Sequence, residues 1–477
     1  MKFYVVLSGG VPPKKAELPC VTLVSDSWDD FGYRTLFQAH YVSTKKVVTE
    51  LGVVKISSES QHKRTKVDNE FDELPAGYFS LGQSMDYYQK IRALKKELRE
   101  ELLHGLRDVV FLPQLLTQYE LLEVFTTSLL RYSETRVVLR DAVPLFNAEP
   151  PKEKTKCSFL FEMQLPGASS PHALSVELGN EPRLPDRIMA LIGKNGTGKT
   201  WLLGRLAAAL SGDELSVGKF TPEHPAFKRV IAVSYSAFDR FNKPQTKRTF
   251  SYIYCGIHDA KGKILDRPRL FRKLRGAATR ISEVDRLDLW KEMIEAVLDT
   301  TTMEAMSGYL FSDEQEGVVL RPPKLSSGQL VLASTITELV AYMEEESIVL
   351  MDEPELHQHP NSVAGLLYSL NRMLDKFKSF ALIATHSPLV IQQIPAKYVR
   401  LFIRNGNTTV IRDLGSECFG ENLTSITQEV FQTNASPSLY TEWFKTATAD
   451  LTDSQLLRLF PHGLSFNALS VMESVKQ

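Results

Sequence analysis

Residues 193–200 read Gly-Lys-Asn-Gly-Thr-Gly-Lys-Thr. The spacing is G-x-x-x-x-G-K-[ST], set between an apolar run and a second run with helical period. Glycines there let backbone N–H groups turn inward around phosphate oxygens. A helix starting at Lys199 would aim its positive end at the same anion. Lys199 would reach the β- and γ-phosphates of a nucleotide, and the Thr200 hydroxyl would hold Mg²⁺. The expected nucleotide-binding run is therefore Gly193, Lys194, Asn195, Gly196, Thr197, Gly198, Lys199, Thr200 and Trp201.

Three more groups could complete that chemistry. Ser347-Ile-Val-Leu-Met-Asp352-Glu353 is an apolar strand ending in two carboxylates. A strand buried on both faces explains the unbroken apolar run. Asp352 at its tip is placed to bind Mg²⁺, and Glu353, one residue on, to activate an attacking water. Ser326, Ser327, Gly328 and Gln329 open a helix and would present N–H and O–H donors to an anion, although such a run is also an ordinary helix cap. His386, in Ala-Thr-His-Ser-Pro after another apolar run, could stabilise charge on a γ-phosphate. His357 and His359 have no Cys or further His at ligand spacing, so no metal centre is expected there.

The elements that must hold these residues alternate. Strands are expected at Cys157–Gln164, Ile188–Ile192, Arg229–Val233, Ile348–Met351, Phe380–Ala384 and Tyr398–Ile403. Helices are expected at Lys199–Leu210, Gly328–Glu344, Val363–Lys376 and Pro388–Gln393. Such alternation predicts an α/β layer with a largely parallel sheet. Residues 1–83 read as short strands and turns. Ile91, Leu94, Leu98, Leu102 and Leu106 then mark an amphipathic helix, and Leu115, Tyr119, Leu122 and Phe125 a second. Pro150–Lys156 reads as an exposed linker.

The whole chain has 477 residues, 43% hydrophobic and 24% charged, with a net charge of −1. Those values exclude a disordered or collagen-like chain and a uniformly basic nucleic-acid coat. Cys20, Cys157, Cys255 and Cys418 form no CxxC pair, so neither a zinc ribbon nor a secreted disulfide framework is expected. No secretory segment and no membrane span is read, and a cytoplasmic protein is expected.

Phosphate loop, LSxGQ-like signature, Asp-Glu strand and switch histidine occur in the order that resembles the ABC-type ATPases, over about residues 20–57 and 157–412. The fold class implied is α/β: an ABC-type P-loop ATPase head with an N-terminal antiparallel β region and inserted helical subdomains. The corresponding division is 1–83, N-terminal β part of the head; 84–149, helical insertion; and 150–259, phosphate-loop core. It continues with 260–345, helical lobe with the signature; 346–412, Asp-Glu strand and switch His; and 413–477, C-terminal helical extension. The resemblance implies ATP and Mg²⁺ as cofactors and two heads sandwiching two nucleotides in a homodimer or higher homo-oligomer. Lys199, Thr200, Asp352, Glu353 and His386 would then act in one half-site. Ser326, Ser327 and Gly328 would serve the partner's nucleotide.

Asp352-Glu-Pro-Glu-Leu-His-Gln-His-Pro360 resembles the RecF/OLD-type soluble ATPases rather than transporter subunits. Asp26–Tyr33, Ser234–Asp239 and Phe419–Ile426 resemble the PtuA ATPases of Septu-type antiphage systems, retron-associated ones included. That resemblance implies a PtuB-like HNH nuclease partner and an ATPase whose dimerisation controls it. A stand-alone RecF-like DNA repair ATPase and an ATP-sensing scaffold with little turnover remain alternatives. ABC heads usually carry a Gln for Mg²⁺ in the loop after Val233; here it reads Ser-Tyr-Ser-Ala-Phe-Asp, and Gln245 is the nearest Gln. Trp28, Phe31 and Tyr33 offer an adenine-stacking ring or a turn packed on the core. Lys261–Arg280 holds eight basic residues against Asp266 alone, either a solvated helix face or a contact for DNA phosphates.

Overall fold

The computed structural model describes residues 1–6, 10–44, 47–61, 63–146, 156–164, 168, 170–212, 218–236, 241, 252–259, 261–312, 321–356, 358–431 and 439–476. Most of the expected linker Pro150–Lys156, together with Gln245 and His357, lies outside them. Two compact units are present, Met1–Glu421 and Asn422–Gln477.

The first unit begins with β1 (Lys2–Val6), β2 (Cys20–Ser25), β3 (Leu36–Thr44), β4 (Val47–Ser58), β5 (Glu70–Phe71) and β6 (Tyr78–Gly82). Helices α1 (Met85–Arg92), α2 (Lys96–Gly105), α3 (Pro113–Tyr119) and α4 (Ser133–Phe146) follow. The six strands make a sheet of their own in the order β5-β1-β2-β3-β4-β6. It is antiparallel except for the β1–β2 pair, which is parallel. One apolar cluster runs from Phe3, Leu23 and Ile56 in the strands to Tyr87, Leu102 and Phe125 in the helical segment. Sheet and helices thus form one lobe around a shared core.

Where the sequence predicts one amphipathic helix over 91–106, two occur. The chain bends at Ala93–Lys95, which lets Ile91 on one helix and Leu102 and Leu103 on the next reach that core together. The second expected helix ends at Tyr119, and a π turn follows at Phe125–Leu129. That turn aims the Ser128 carbonyl at Lys55 Nζ (2.6 Å) and the Ser128 hydroxyl at Asp30 (2.9 Å). Asp30, Lys55 and Arg131 meet there out of solvent: Lys55 and Arg131 lie 2.9 and 2.6 Å from the Asp30 carboxylate. Burial opposes ionisation of Asp30. The two cations and their hydrogen bonds outweigh it and hold its pKa below the ordinary value.

A second buried carboxylate in this lobe forms no ion pair with a cation among the described residues. Asp108 accepts from the Tyr88 hydroxyl (3.0 and 3.1 Å) and from the Val110 amide (2.9 Å). Desolvation exceeds those hydrogen bonds and pushes its pKa from 3.8 up to about 7. Well below pH 3.8 the group is protonated folded or unfolded, and its ionisation adds no cost to folding. As pH rises toward 7 the unfolded chain releases the proton while the folded chain holds it, so stability falls, by up to roughly 4 kcal/mol. Asp108→Asn should remove this slope. Urea midpoints at pH 5 and pH 8 should then differ less in the variant than in the native chain, and equal differences would refute the assignment.

The rest of the first unit alternates strands and helices. It starts with β7 (Cys157–Met163), β8 (His172–Leu178), β9 (Ile188–Gly193), α5 (Lys199–Leu210) and β10 (Lys219–Thr221). Next come β11 (Arg229–Ser234), β12 (Tyr252–Gly256), α6 (Arg267–Glu283), α7 (Leu287–Glu295), α8 (Thr300–Phe311) and α9 (Ser327–Tyr342). It closes with β13 (Ser347–Asp352), α10 (Pro360–Lys376), β14 (Phe380–Thr385), α11 (Pro388–Ile391), β15 (Val399–Asn405) and β16 (Thr408–Asp413). The main sheet runs β12-β11-β13-β14-β9-β15-β16, parallel throughout except for the last pair. Every residue of β9, β13 and β14 is buried, which is what helices on both faces require of a central parallel strand. The fold is mixed α/β with a phosphate-loop sheet.

The antiparallel sheet beside that core comes from β10, β7 and β8, not from residues 20–57. The N-terminal lobe instead meets the main sheet at the start of its strands. Arg140 on α4 lies 2.7 Å from Glu346, just before β13, and Lys228, just before β11, lies 3.7 Å from Asp141. Arg131 Nε donates to the Gly212 carbonyl (2.7 Å), just past the end of α5.

The second unit holds α12 (Leu423–Phe431), α13 (Leu439–Asp450), α14 (Asp453–Arg458) and α15 (Phe466–Lys476). Its small core gathers Phe444, Ala447, Leu456 and Met472. No helix among the described residues is long and apolar enough to cross a membrane.

Candidate functional site

Parallel pairing brings four strand ends to one edge. Ser234 of β11 is in register with Asp352 of β13, Asp352 with Ala384 of β14, and Thr385 with Ile192 of β9. Open α/β sheets bind ligands at this edge. The phosphate loop leaves β9 at Gly193, where a Cβ would stand 2.3 Å from the Phe402 carbonyl of β15, so only glycine lets these strands approach. Gly198, at φ 98°, takes the left-handed turn into α5. From outside, the β15–β16 hairpin holds the loop: Arg404 donates to the Gly196 carbonyl (3.0 Å) and Thr409 to the Thr197 carbonyl (3.4 Å).

A cavity of about 320 Å³ opens here, lined by Asn195, Gly196, Gly198, Lys199, Thr200, Trp201, Ser236, Asp352 and Glu353. Lys199 folds back on the loop and donates to the Gly193 (2.8 Å) and Lys194 (3.2 Å) carbonyls. Burial lowers its pKa, against the attraction of the Glu353, Asp352 and Glu355 carboxylates. Thr200 Oγ1 donates to Asp352 Oδ1 at 2.9 Å. A hydroxyl and a carboxylate in contact at a phosphate loop are hard oxygen donors suited to Mg²⁺, which otherwise keeps waters and substrate oxygens. Among the described residues no cluster of three or more His, Cys, Asp or Glu could form a protein-built metal cage.

Beyond Asp352 the backbone reverses at Glu353, whose φ is 49°. A left-handed conformation costs a non-glycine residue roughly 1–2 kcal/mol. The Glu353 amide, donating to the Ala384 carbonyl (2.8 Å), holds it in place. His386 Nδ1 then stands 3.4 Å from a carboxylate oxygen of Glu353 and 3.4 Å from one of Glu355. Glu355 is the residue that sequence reasoning passes over. The run Asp352-Glu-Pro-Glu contains it, but only the fold shows that it turns back onto the end of β14.

Ser326 and Gln329 close the start of α9 in a reciprocal cap: Gln329 N donates to Ser326 Oγ (3.1 Å) and Ser326 N to Gln329 Oε1 (2.9 Å). Ser327 is exposed beside them. The ordinary cap is therefore present and uses Ser326 and Gln329, leaving Ser327 and Gly328 outside it. Three of the eight basic residues in Lys261–Arg280 support this helix. Arg267 donates to the Leu325 carbonyl (2.9 Å) and Arg280 to the Ala341 carbonyl (3.0 Å), while Lys273 pairs with buried Glu338 (2.5 Å). Lys261, Lys263, Arg267, Arg269 and Arg272 are exposed, and Lys273, Arg275 and Arg280 are half-buried.

The adenine-stacking option for Trp28, Phe31 and Tyr33 is overturned. Trp28 and Phe31 pack on the Arg131 guanidinium, 5.6 and 4.4 Å from ring centre to carbon, and Arg131 is bonded to Gly212. Tyr33 belongs to the same turn, its backbone exchanging hydrogen bonds with Asp30 (2.7 and 3.1 Å). Gly212 lies beyond the far end of twelve-residue α5, about 18 Å along its axis from Thr200. The aromatic that lines the cavity is Trp201. Ser236 lines it on the β11 side, in the loop where ABC heads usually carry a Gln. His359 caps α10 through Nδ1 (3.4 Å from the Asn361 amide).

Residues 222–392 match the family model described as an AAA domain, putative AbiEii toxin, type IV TA system. Protein ea59 of Escherichia phage lambda is 29% identical over 484 residues, which span 92% of this chain and 91% of its own. Among solved structures, cbiO1 from Clostridium perfringens, part of an ABC transporter complex, aligns with a TM-score of 0.31 at 12% identity, covering 64% of this chain and 100% of its own. UvrA2 from Deinococcus radiodurans aligns with 0.28 at 14% identity, covering 52% of this chain and 37% of its own. The family segment contains the signature helix, the Asp-Glu strand and His386 and begins after the phosphate loop. Together with that loop it makes an ATPase-type domain.

Proposed function

We propose that this chain binds ATP with Mg²⁺ and hydrolyses it, that two copies close face to face around two nucleotides, and that this cycle controls a partner HNH nuclease in antiphage defence. The observation that carries the ATPase reading is the 2.9 Å contact between Thr200 and Asp352 at the mouth of the phosphate loop, with Glu353 and His386 at the adjoining strand ends. Loop amides and the start of α5 take the phosphate oxygens. Lys199 exchanges its two loop carbonyls for phosphate. Thr200 and Asp352 hold Mg²⁺, which neutralises charge on the β- and γ-phosphates when bound. Glu353 accepts the proton of the attacking water, and His386 stabilises charge on the γ-phosphate.

The head-to-head dimer rests on Ser327 and Gly328, left outward by the cap. The nuclease partner rests on the three PtuA-like stretches. Of these, Asp26–Tyr33 supplies Asp30, which with Arg131 ties the N-terminal lobe to the end of the phosphate-loop helix. Direct contact with DNA phosphates would fall to the exposed Lys261, Lys263, Arg267, Arg269 and Arg272. The absence of a Gln from Ser-Tyr-Ser-Ala-Phe-Asp after Val233 favours a second reading, an ATP sensor with slow turnover.

Purified chain should hydrolyse ATP only with Mg²⁺ and leave supercoiled plasmid intact. Lys199→Ala should weaken ATP binding about 10- to 150-fold, from the ~1.5–3 kcal/mol carried by a hydrogen bond to a charged group. Calorimetric titration checks this. Undiminished binding would remove the phosphate loop from the function, and plasmid cleavage lost on mutating this chain would refute the division of labour. Tight binding with negligible release of phosphate would select the sensor.

A further inference from the structure

A carboxylate outside the cavity lining is bound to the end of the strand that carries the switch histidine. Glu355 is nearly buried, its side chain 10% exposed. Its Oε1 accepts the Thr385 hydroxyl (2.6 Å) and the His386 amide (3.0 Å), and Thr385 Oγ1 in turn accepts the Ser387 amide (2.9 Å). The same oxygen is 3.4 Å from His386 Nδ1. Its other oxygen, Oε2, is buried without a hydrogen-bond partner among the described residues, and so is His386 Nδ1.

An orphaned buried polar atom costs about 1–3 kcal/mol. Glu355 leaves an oxygen without a hydrogen-bond partner among the described residues while holding Thr385 and His386 directly and Ser387 through Thr385. The histidine side chain is 42% exposed although Nδ1 is buried, so the ring edge away from Nδ1 faces outward. Nδ1 sits between the Glu353 and Glu355 oxygens at equal distance, in hydrogen-bond geometry with neither. A small ring rotation makes one bond or the other.

We propose that Glu355 is a positioning residue for hydrolysis: it fixes the end of β14 and competes with Glu353 for His386 Nδ1, so that Glu353 stays free to accept the water's proton. The inference rests on the ATPase reading above. Glu355→Gln keeps an oxygen that can accept the Thr385 and His386 donors but removes the charge that competes for Nδ1.

The test measures melting temperature, ATP affinity and kcat for the native chain, Glu353→Gln, Glu355→Gln, Glu355→Ala, His386→Ala and the combination of Glu355→Gln with His386→Ala. Glu355→Gln should melt like the native chain and bind ATP within about twofold, yet turn over about tenfold more slowly. Glu355→Ala should be slower still. Added to His386→Ala, Glu355→Gln should cost little more, because a residue acting through another loses its effect when that partner is gone. A native kcat in Glu355→Gln overturns the inference, as does an unchanged tenfold loss without the histidine. If Glu355→Gln lowers melting temperature and ATP affinity together, the role is structural and the inference fails. If the native chain releases no phosphate, the ATPase reading fails and takes this inference with it. If the native chain turns over, Glu353→Gln does not, and Glu355→Gln matches the native chain, only this inference fails.

Discussion

Glu353→Gln should leave ATP binding intact and reduce turnover by a factor of about 10² to 10⁴, the contribution typical of a general base. The reason begins with backbone conformation. Glu353 occupies a left-handed φ of 49°, pinned by its amide to the Ala384 carbonyl, and that reversal carries its side chain away from Asp352. Asp352 meets Thr200, while Glu353 lines the same cavity and faces His386 Nδ1. Glutamine keeps the size of the side chain and the backbone hydrogen bond but cannot accept a proton from water. ATP should therefore bind and stay. If closure of two heads requires bound ATP and reopening requires its hydrolysis, the variant should accumulate as closed dimers, read by light scattering after chromatography with ATP. Wild-type rates of phosphate release would show that another group is the base.

The parts of the site that are legible in the sequence are those set by neighbours along the chain. Helix α5 begins and ends at the expected Lys199 and Leu210, because glycines, lysine and an apolar period are all local signals. Strand β13 is legible because an unbroken apolar run ending in Asp-Glu has few other uses. What cannot be read is set by distant partners. Residues 20–57 have the composition of a β layer, but which sheet a strand joins depends on pairing with chain far away. Here they pair with each other and with β1 and β6, and residues 157–221 supply a separate small sheet. Trp28, Phe31 and Tyr33 suit adenine by type alone. The Arg131 on which Trp28 and Phe31 pack also pairs with Asp30 of the same turn, 101 residues away in sequence. It is Arg131, through Gly212, that fixes the turn at the wrong end of α5. The count of the basic run likewise does not show that Arg267, Lys273 and Arg280 also find acceptors on or beside α9.

Mixing two inactive variants should restore activity, and the cap at α9 makes the experiment clean. Ser326 and Gln329 satisfy each other, so Ser327 is an exposed first-turn residue whose replacement leaves the cap in place. Ser327→Arg should therefore block the outward anion-facing surface without unfolding the helix and without touching that head's own phosphate loop. Lys199→Ala damages the phosphate loop and leaves the signature whole. Each homodimer then has two damaged sites. In a mixed dimer the Ser327→Arg head supplies an intact phosphate loop and the Lys199→Ala head an intact signature, so one site is complete. Random pairing makes about half the dimers mixed, each with one of two sites, which gives roughly a quarter of native activity for independent sites across an isologous interface. Obligate cooperation between sites lowers the figure but not the sign of the comparison with a control carrying both changes on one chain. Mixed with native chain, that double variant forms mixed dimers with no complete site if the signature acts across the interface, and with one if it acts within its own head. No recovery in the first mixture, with mixed dimers seen by native mass spectrometry and one active site per mixed dimer in the control, would place the signature in its own head and remove the sandwich from this protein's mechanism.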